Sequence, residues 1–295
     1  MSFLSELKLI SPSIGAEIND VDLKKVGGKS INELKKLLAK YKVLFFPNQK
    51  ISIEDHVAFG EKFGELQGHP HINNPNIKHP KIFELAASSG GIADEWHTDL
   101  TFQEQPALLS ILHMVELPEV GGDTLWTDLV AAFKALSKPI QDMCMELSAL
   151  HDASPHLHPE KMTIHPVVRK HPDTNEPVLY VNEHFTRRIV EFAHEESEHF
   201  LKFLTSWVQK PEFSLRYKWQ KHTVAMWDNR STQHYVVNNF EGERIIQRVT
   251  VTGDKIEPYK QSSYQAWNAD GKFSAKSRHD FQLIGYLDSI SKEKN

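Results

Sequence analysis

Two residues in the first third of the chain have the types and spacing of a metal site. His97 and Asp99 stand two positions apart in the stretch Glu-Trp-His-Thr-Asp. In an extended segment, side chains two positions apart point to the same side of the backbone. With a third imidazole from elsewhere, they would form the two-histidine, one-carboxylate arrangement that binds Fe(II) and leaves neighbouring positions open. The same spacing occurs at residues 158–160 and 194–196, where we predict no metal, so the spacing alone is weak evidence.

A distant stretch, residues 227–234, reads Trp-Asp-Asn-Arg-Ser-Thr-Gln-His and ends in an imidazole. It is followed by a predicted strand at 244–251, whose alternation places Arg244 and Arg248 on one face and apolar side chains on the other. Arginine binds carboxylates and sulfonates through paired hydrogen bonds. Four strand residues span about 13 Å, which is the expected distance between the backbones of the two arginines. They could therefore bind two different anions, or one anion and a structural partner. Two solvated arginines on an exposed face are the alternative.

The hydrophobic pattern around these residues predicts many short strands interrupted by helices. Apolar runs and period-two alternation predict strands within 8–20 and at 43–46, 82–85, 106–114, 123–126, 213–219 and 224–227, with a hairpin formed by 167–169 and 178–181. Helical spacing predicts helices at 31–41, 53–63, 128–136, 140–150 and 194–209. The predicted N-terminal caps are Ser30 (in a capping box with Glu33), Ser52 and Thr127.

Many short strands without βαβ alternation indicate an antiparallel sandwich or barrel. We find no internal repeat, low-complexity tract or linker, so residues 1–295 are expected to form a single domain. Residues 254–295 are expected to be a polar C-terminal extension that wraps the surface or mediates contacts. Residues 67–92 are rich in His, Pro, Asn and Gly and are expected to form a loop or lid beside the site.

Composition narrows the classes of function. A net charge of −5 and a pI near 6.4 argue against a general binder of nucleic acid or anionic membranes. The single cysteine, Cys144, excludes an internal disulfide and suits a reducing compartment. No apolar run approaches a membrane span, and the N-terminus lacks a signal pattern. We expect a cytoplasmic enzyme with no nucleic-acid or membrane partner.

Four motifs follow one another in a diagnostic order: W-H-x-D, G-G-D-T-L-W-T-D, W-D-N-R-x-T-Q-H-Y and R-x-x-x-R. This order resembles the taurine catabolism dioxygenase family (TauD/TfdA), over about residues 7–253. The resemblance implies an Fe(II)- and 2-oxoglutarate-dependent dioxygenase. It also implies a mainly β fold with flanking helices, built on a double-stranded β-helix, a jelly-roll or cupin-like core.

The resemblance assigns roles at the metal centre. It makes His97, Asp99 and His234 the iron ligands, which leaves two positions for the 2-oxo acid and one for O2. It makes Thr124 and Arg244 the residues that bind the distal carboxylate of 2-oxoglutarate. No catalytic side chain is expected beyond the metal centre.

The resemblance also assigns the prime-substrate site. His69 and Arg248 would hold the anionic head of a small-molecule substrate. Phe102 and Phe185 would form aromatic walls, and Leu100 a smaller apolar contact.

Two positions depart from the pattern of taurine dioxygenases. Ile72 and Ala93 stand where those enzymes place a tyrosine and an asparagine that contact taurine. We therefore expect a more apolar tail on the substrate. The alternative is that residues 67–92 align differently and that other residues replace these contacts.

The expected reaction is hydroxylation of a small organic anion, a taurine-like sulfonate or an alkyl sulfate ester. It would release sulfite or sulfate and an aldehyde, together with succinate and CO2, in sulfur metabolism. Three alternatives stay open: a carboxylate substrate such as an aryloxyalkanoate, a non-catalytic cupin-like metal-binding protein, and a zinc hydrolase. The hydrolase would leave Thr124 and Arg244 without a role. A homo-oligomer is expected from the resemblance alone.

Overall fold

The computed structural model describes residues 7–68, 79–89, 93–262 and 264–268. Within them the chain forms five α-helices, which are α1 (Lys29–Tyr41), α2 (Ile53–Glu61), α3 (Leu129–Lys134), α4 (Lys138–Cys144) and α5 (His194–Val208). The strands are β1 (Leu7–Leu9), β2 (Ala16–Ile18), β3 (Val43–Phe46), β4 (Leu66–Gln67), β5 (Phe83–Ala86), β6 (Ala107–Glu116), β7 (Thr124–Asp128), β8 (Ser148–Ala153), β9 (His158–Pro166), β10 (Val168–Lys170), β11 (Pro177–Leu179), β12 (Thr186–Ile189), β13 (Ser214–Tyr217), β14 (Val224–Asp228), β15 (Thr232–Val236), β16 (Ile245–Thr252) and β17 (Trp267–Asn268).

Two layers of mainly antiparallel strands face each other across an aromatic core, and in the larger one β2 and β3 pair in parallel. The larger sheet runs in the order β1-β2-β3-β14-β6-β16-β4, with β5 also paired to β16, and β13-β7-β15 forms the opposing layer. Trp126 of β7 packs edge-on against Phe45 of β3 at 5.3 Å and against Trp227 of β14 at 5.8 Å between ring centres. All three side chains are fully buried, so they fill the space between the two layers at this position. The predicted antiparallel sandwich is confirmed.

Helices α1 and α2 cover the other face of the large sheet. Leu34 and Leu38 of α1 and Phe59 of α2 are buried together with Val249 and Val251 of β16. The apolar residues of α1 recur at helical spacing, so one stripe of the helix packs on the sheet. Because strand side chains alternate, the opposite face of β16 turns toward the space between the layers. That face carries the two arginines.

A second sheet, β12-β8-β9-β17, extends the structure beside the sandwich. Part of the chain beyond residue 254 lies against this region: β17 pairs with β9, Pro258 pairs with Arg169, and the Tyr264 hydroxyl donates to the Ile164 carbonyl at 3.2 Å. The described part of the predicted extension therefore lies along the surface. No helix in the described ranges is both long and apolar enough to cross a membrane.

Two predicted helix caps, Ser30 and Thr127, were wrong. The first helix begins at Lys29, and its cap is Gly28 without a side-chain cap bond, so Ser30 lies inside the first turn. Asp128, and not Thr127, caps α3: its carboxylate accepts from the amides of Val130 and Ala131. Thr127 is occupied elsewhere, since its hydroxyl donates to the Val208 carbonyl.

The helix predicted at 140–150 ends at Cys144, because the chain then enters strand β8. Ala149, Leu150 and His151 pair with both β9 and β12, and this strand pairing overrides helical spacing. Short apolar runs of this kind fit helical and strand periodicity equally well. The predicted cap Ser52 is correct: it forms a capping box with Asp55 at the start of α2.

Candidate active site

The backbone brings the predicted metal ligands together. His97 lies outside the named strands but forms a two-way bridge with His234 of β15: each amide donates to the other carbonyl, at 3.1 and 2.8 Å. The two rings lie 4.0 Å apart between centres. Asp99 follows two residues later, and one ligand atom from each of the three side chains lies within 4.8 Å of the others. All three residues are buried.

The surroundings fix charge states suited to a metal. Burial lowers the pKa of both histidines, to about 4 for His234 and well below the ordinary value for His97. Burial alone would raise the pKa of Asp99, but the charge of Arg248 and the hydrogen bond from Ser110 act against it and lower that pKa. At neutral pH the cluster therefore offers two neutral imidazoles and one carboxylate, the forms in which these groups bind a metal.

Further hydrogen bonds orient the cluster. The Nδ1–H of His97 donates to the Glu95 carbonyl at 2.7 Å, so the lone pair on Nε2 is available to a metal. The Ser110 hydroxyl donates to Asp99 at 2.7 Å, and Asn229 donates to Ser110 at 3.0 Å. Sequence reasoning missed Ser110. Its signal was a lone hydroxyl in the middle of an otherwise apolar strand.

Arg244 carries a buried charge that forms no ion pair with any residue that the structure describes. Its guanidinium donates to the Gly122 carbonyl at 3.1 Å and to the Thr124 hydroxyl at 3.3 Å. In the part of the chain that the structure describes, no carboxylate forms an ion pair with it, and burial lowers its pKa to about 10. Thr124 is held in turn by Trp219, whose indole N–H donates to it at 2.9 Å. An unpaired buried cation is costly, so this position is suited to an incoming carboxylate.

Arg248 of β16 lies four residues after Arg244, two periods of the strand, and lines the same cavity. Its Nη1 donates to the Asp99 carboxylate at 2.7 Å, and its guanidinium lies over the Phe83 ring at 5.0 Å. Among the described residues its Nε is buried without a hydrogen-bond partner. Arg248 therefore connects the metal cluster to the neighbouring space and keeps donor capacity for another anion.

The chain matches the model of one family over residues 6–250, that of the taurine catabolism dioxygenases, "TauD, TfdA family". The chain belongs to this family. It is 36% identical over 266 residues to an alpha-ketoglutarate-dependent sulfonate dioxygenase of Saccharomyces cerevisiae, a match that covers 80% of this chain and 63% of the yeast protein. It is 32% identical over 269 residues to an alpha-ketoglutarate-dependent sulfate ester dioxygenase of Pseudomonas putida, covering 83% of this chain and 88% of the relative.

A solved structure resembles this TauD/TfdA member throughout. The taurine dioxygenase of Burkholderia xenovorans superposes with a TM-score of 0.79 at 33% identity, covering 94% of this chain and 98% of the other. The expected family and jelly-roll fold are thereby confirmed, as is the expectation that the chain is a dioxygenase.

One cavity of about 400 Å³ connects the two arginines and the metal cluster of this TauD/TfdA member. Leu100 and Phe185 line it, as does Ala93. Phe102 is not among the lining residues and packs behind this wall, with its ring 5.3 Å from that of Phe185. Its contact with the substrate stays a prediction. The predicted substrate contact His69 and the departing position Ile72 lie outside the described residues.

Sequence reasoning also missed the rim of the cavity. His184 and Glu95 line it, and the Glu95 carboxylate pairs with Nδ1 of His184 at 2.5 Å. The His184 ring lies 5.5 Å from that of His97. His184 directly precedes Phe185, but its pairing with a residue so distant in the sequence gave no local signal.

Proposed function

We propose that this protein is an Fe(II)- and 2-oxoglutarate-dependent dioxygenase that hydroxylates a small sulfur-containing organic anion. The proposal depends above all on one observation: Arg244, a buried arginine with no ion-pair partner among the described residues, lines the same cavity as the His97, Asp99 and His234 cluster. A zinc hydrolase or a simple metal-binding protein needs the cluster but has no use for the arginine.

The three ligands fit Fe(II). Two imidazoles and one carboxylate on one side of a cavity are the donor set of non-haem iron oxygenases. When bound, Fe(II) supplies the oxygen activation that couples decarboxylation of 2-oxoglutarate to hydroxylation of the substrate. The protein supplies ligand orientation, through Glu95 and Ser110, and a site with little water.

Arg244 and Thr124 bind the far carboxylate of 2-oxoglutarate. The guanidinium offers a charge-assisted hydrogen bond, and the Thr124 hydroxyl is fixed in place by Trp219. The buried cation gains the partner that it lacks in the described structure, so binding relieves the cost of its burial.

Arg248 binds the anionic head of the prime substrate, with His69 as a second contact. A tetrahedral sulfonate or sulfate offers more oxygens than Arg248 alone can satisfy, so a second donor suits this class. Leu100, Phe185 and Ala93 give the cavity an apolar wall, which favours an apolar tail over an amine. Both relatives described above are named for sulfonates or sulfate esters.

The products follow from the position of attack. In a sulfonate, the hydroxylated carbon is the one bonded to sulfur, and the adduct loses sulfite. In a sulfate ester, it is the carbon bonded to the ester oxygen, and the adduct loses sulfate. Both reactions leave an aldehyde. Succinate and CO2 are the products of 2-oxoglutarate. We also propose that residues 1–295 act as one catalytic domain in the cytoplasm; the buried thiol of Cys144 suits a reducing compartment.

A substrate panel tests this proposal. Purified protein with Fe(II), 2-oxoglutarate and O2 is given taurine, alkyl sulfonates of increasing length, alkyl sulfates and aryloxyacetates, and succinate, sulfite and sulfate are measured. We expect succinate formation to rise with a sulfonate or sulfate ester, in step with sulfite or sulfate release. Turnover confined to aryloxyacetates would contradict the sulfur-anion class, and no stimulation by any anion would contradict the function.

A further inference from the structure

We propose that Asn182 is a positioning residue for substrate selection, because its side-chain amide ties the two halves of the substrate wall together. This inference depends on the proposed function for its catalytic consequences. The amide oxygen accepts from the backbone N–H of Phe185 at 2.8 Å, and the amide nitrogen donates to the Thr101 hydroxyl at 3.1 Å. One side chain thus connects two segments that are far apart in the sequence.

Both segments carry cavity walls. Thr101 stands between Leu100 and Phe102, and these two residues form one buried apolar cluster with Phe185. Leu100 adopts a left-handed backbone conformation with φ of 59°, which is unfavourable for a residue with a side chain. The turn that presents Leu100 to the cavity therefore has to be held by its surroundings.

The second sheet holds that turn from behind. His165 of β9 donates to the carbonyls of Thr101 and Gln103 at 2.9 and 3.0 Å, and Thr163 donates to the Phe102 carbonyl at 2.8 Å. His151 of the adjacent strand β8 lies 3.0 Å from the Thr101 hydroxyl. Three successive carbonyls of the turn are thus fixed by side chains of β9.

Asn182 is the one member of this network that also fixes Phe185 through its side chain, as far as the described residues show. Asn182 is 2% exposed and Thr101 is fully buried, and neither lines the cavity. They cannot touch the substrate, so their effect on catalysis has to pass through Leu100, Phe102 and Phe185. A fixed wall discriminates between tails of different size, whereas a wall that can give way accepts several.

Two substitutions break the bridge at different points. Asn182→Ala removes the amide, and Thr101→Val removes the hydroxyl while keeping the shape of the side chain. If the bridge acts as one unit, each variant should lose about tenfold in selectivity between the best and the next-best tail length, and the double variant should lose no more than either alone. The Kd for 2-oxoglutarate should stay within about twofold, since the Arg244 end is untouched.

A second readout does not depend on turnover. Amide hydrogen exchange at residues 100–103 and 183–186 should speed up in both segments with either single variant. Thr127→Val serves as a matched control, because it removes a buried threonine hydroxyl that donates to a carbonyl away from the wall. It should lower Tm without changing selectivity or exchange in the two segments.

The outcomes separate the two claims. If wild-type protein turns over no anion, the proposed function fails, while the exchange experiment still decides the bridge. If Asn182→Ala and Thr101→Val each loosen only one segment, or if their effects on selectivity add, the bridge is wrong. Coupled loosening of both segments, with non-additive loss of selectivity in an active enzyme, supports it.

Discussion

The two ends of the cavity are built in different ways. At the Arg244 end, the functional groups stand on or directly beside paired strands of the two facing layers, and they contact each other: Arg244 reaches Thr124 at 3.3 Å. At the other end, Leu100 and Phe185 stand on turns outside the named strands. Side chains behind the wall hold both turns: His165 donates to the carbonyl of Thr101, next to Leu100, and Asn182 accepts from the Phe185 amide.

The difference separates chemistry from selectivity. Residues on paired strands are fixed by the fold itself. We therefore expect the Arg244 end of the cavity, the 2-oxoglutarate end, to be common to proteins that share this fold. Turns can change without disturbing the sheets, so the substrate end can be altered on its own. The two relatives described above share the co-substrate in their names, but one is named for sulfonates and the other for sulfate esters.

The largest expected effect is at the metal cluster, which both ends share. His234→Ala, and likewise His97→Ala, should reduce substrate-dependent succinate formation by about 1,000-fold or more, because two remaining ligands hold Fe(II) poorly. Succinate is measured with saturating Fe(II). His113→Gln is a suitable control, since His113 is a buried histidine that does not line the cavity. Turnover near that of the wild type in either ligand variant would remove the iron assignment.

The next effect isolates the 2-oxoglutarate end. Arg244→Ala should raise the KM for 2-oxoglutarate by about 100-fold, which corresponds to the loss of a charge-assisted contact worth about 2 to 3 kcal/mol. The KM for the prime substrate should change by about threefold or less, because the two sites are separate. Initial rates with each substrate varied in turn give both constants.

The mirror experiment is made at the substrate end. Arg248→Ala should raise the KM for the prime substrate by about 30- to 100-fold, and that for 2-oxoglutarate much less. Because Arg248 also pairs with Asp99, Fe(II) affinity has to be measured alongside, and Arg248→Lys should restore part of the loss. A larger effect on the KM for 2-oxoglutarate would reverse the roles given to the two arginines, and equal effects would contradict the assignment of Arg248 to the prime substrate.

The smallest effect concerns one hydroxyl. Thr124→Val keeps the shape of the side chain but removes the oxygen that accepts from Arg244 and Trp219. The KM for 2-oxoglutarate should rise by about 5- to 10-fold, as expected for one hydrogen bond, with kcat for the prime substrate little changed. An unchanged KM would show that Arg244 alone binds the carboxylate.

Local sequence patterns correctly predicted most of the side-chain positions that are set by strand geometry. The alternation in β16 correctly placed Arg244 and Arg248 on one face, because a strand has a period of two whatever it pairs with. The spacing of His97 and Asp99 also predicted two neighbouring ligands, although His97 forms only an isolated bridge and Asp99 lies in a turn. The prediction of a helix through residue 150 was wrong. The local sequence fits both helical and strand periodicity, and strand β8 (Ser148–Ala153) forms because it pairs with two other strands.

Long-range contacts could not be predicted in this way. The bridge between His97 and His234 and the pairing of Glu95 with His184 join residues far apart in the sequence. The position of Phe102 behind the wall depends on the left-handed turn at Leu100, which only the surrounding hydrogen bonds impose. These features follow from tertiary packing, not from the residue types alone.

The central claim is that one cavity binds Fe(II) through the three ligands and 2-oxoglutarate through Arg244. Anaerobic titration of the metal-free protein with Fe(II) and then 2-oxoglutarate tests it most directly. We predict a visible metal-to-ligand charge-transfer band that saturates with 2-oxoglutarate, shifts when a sulfonate or sulfate ester is added, and requires far more 2-oxoglutarate in Arg244→Ala. Bound Fe(II) with no band at saturating 2-oxoglutarate would contradict the account.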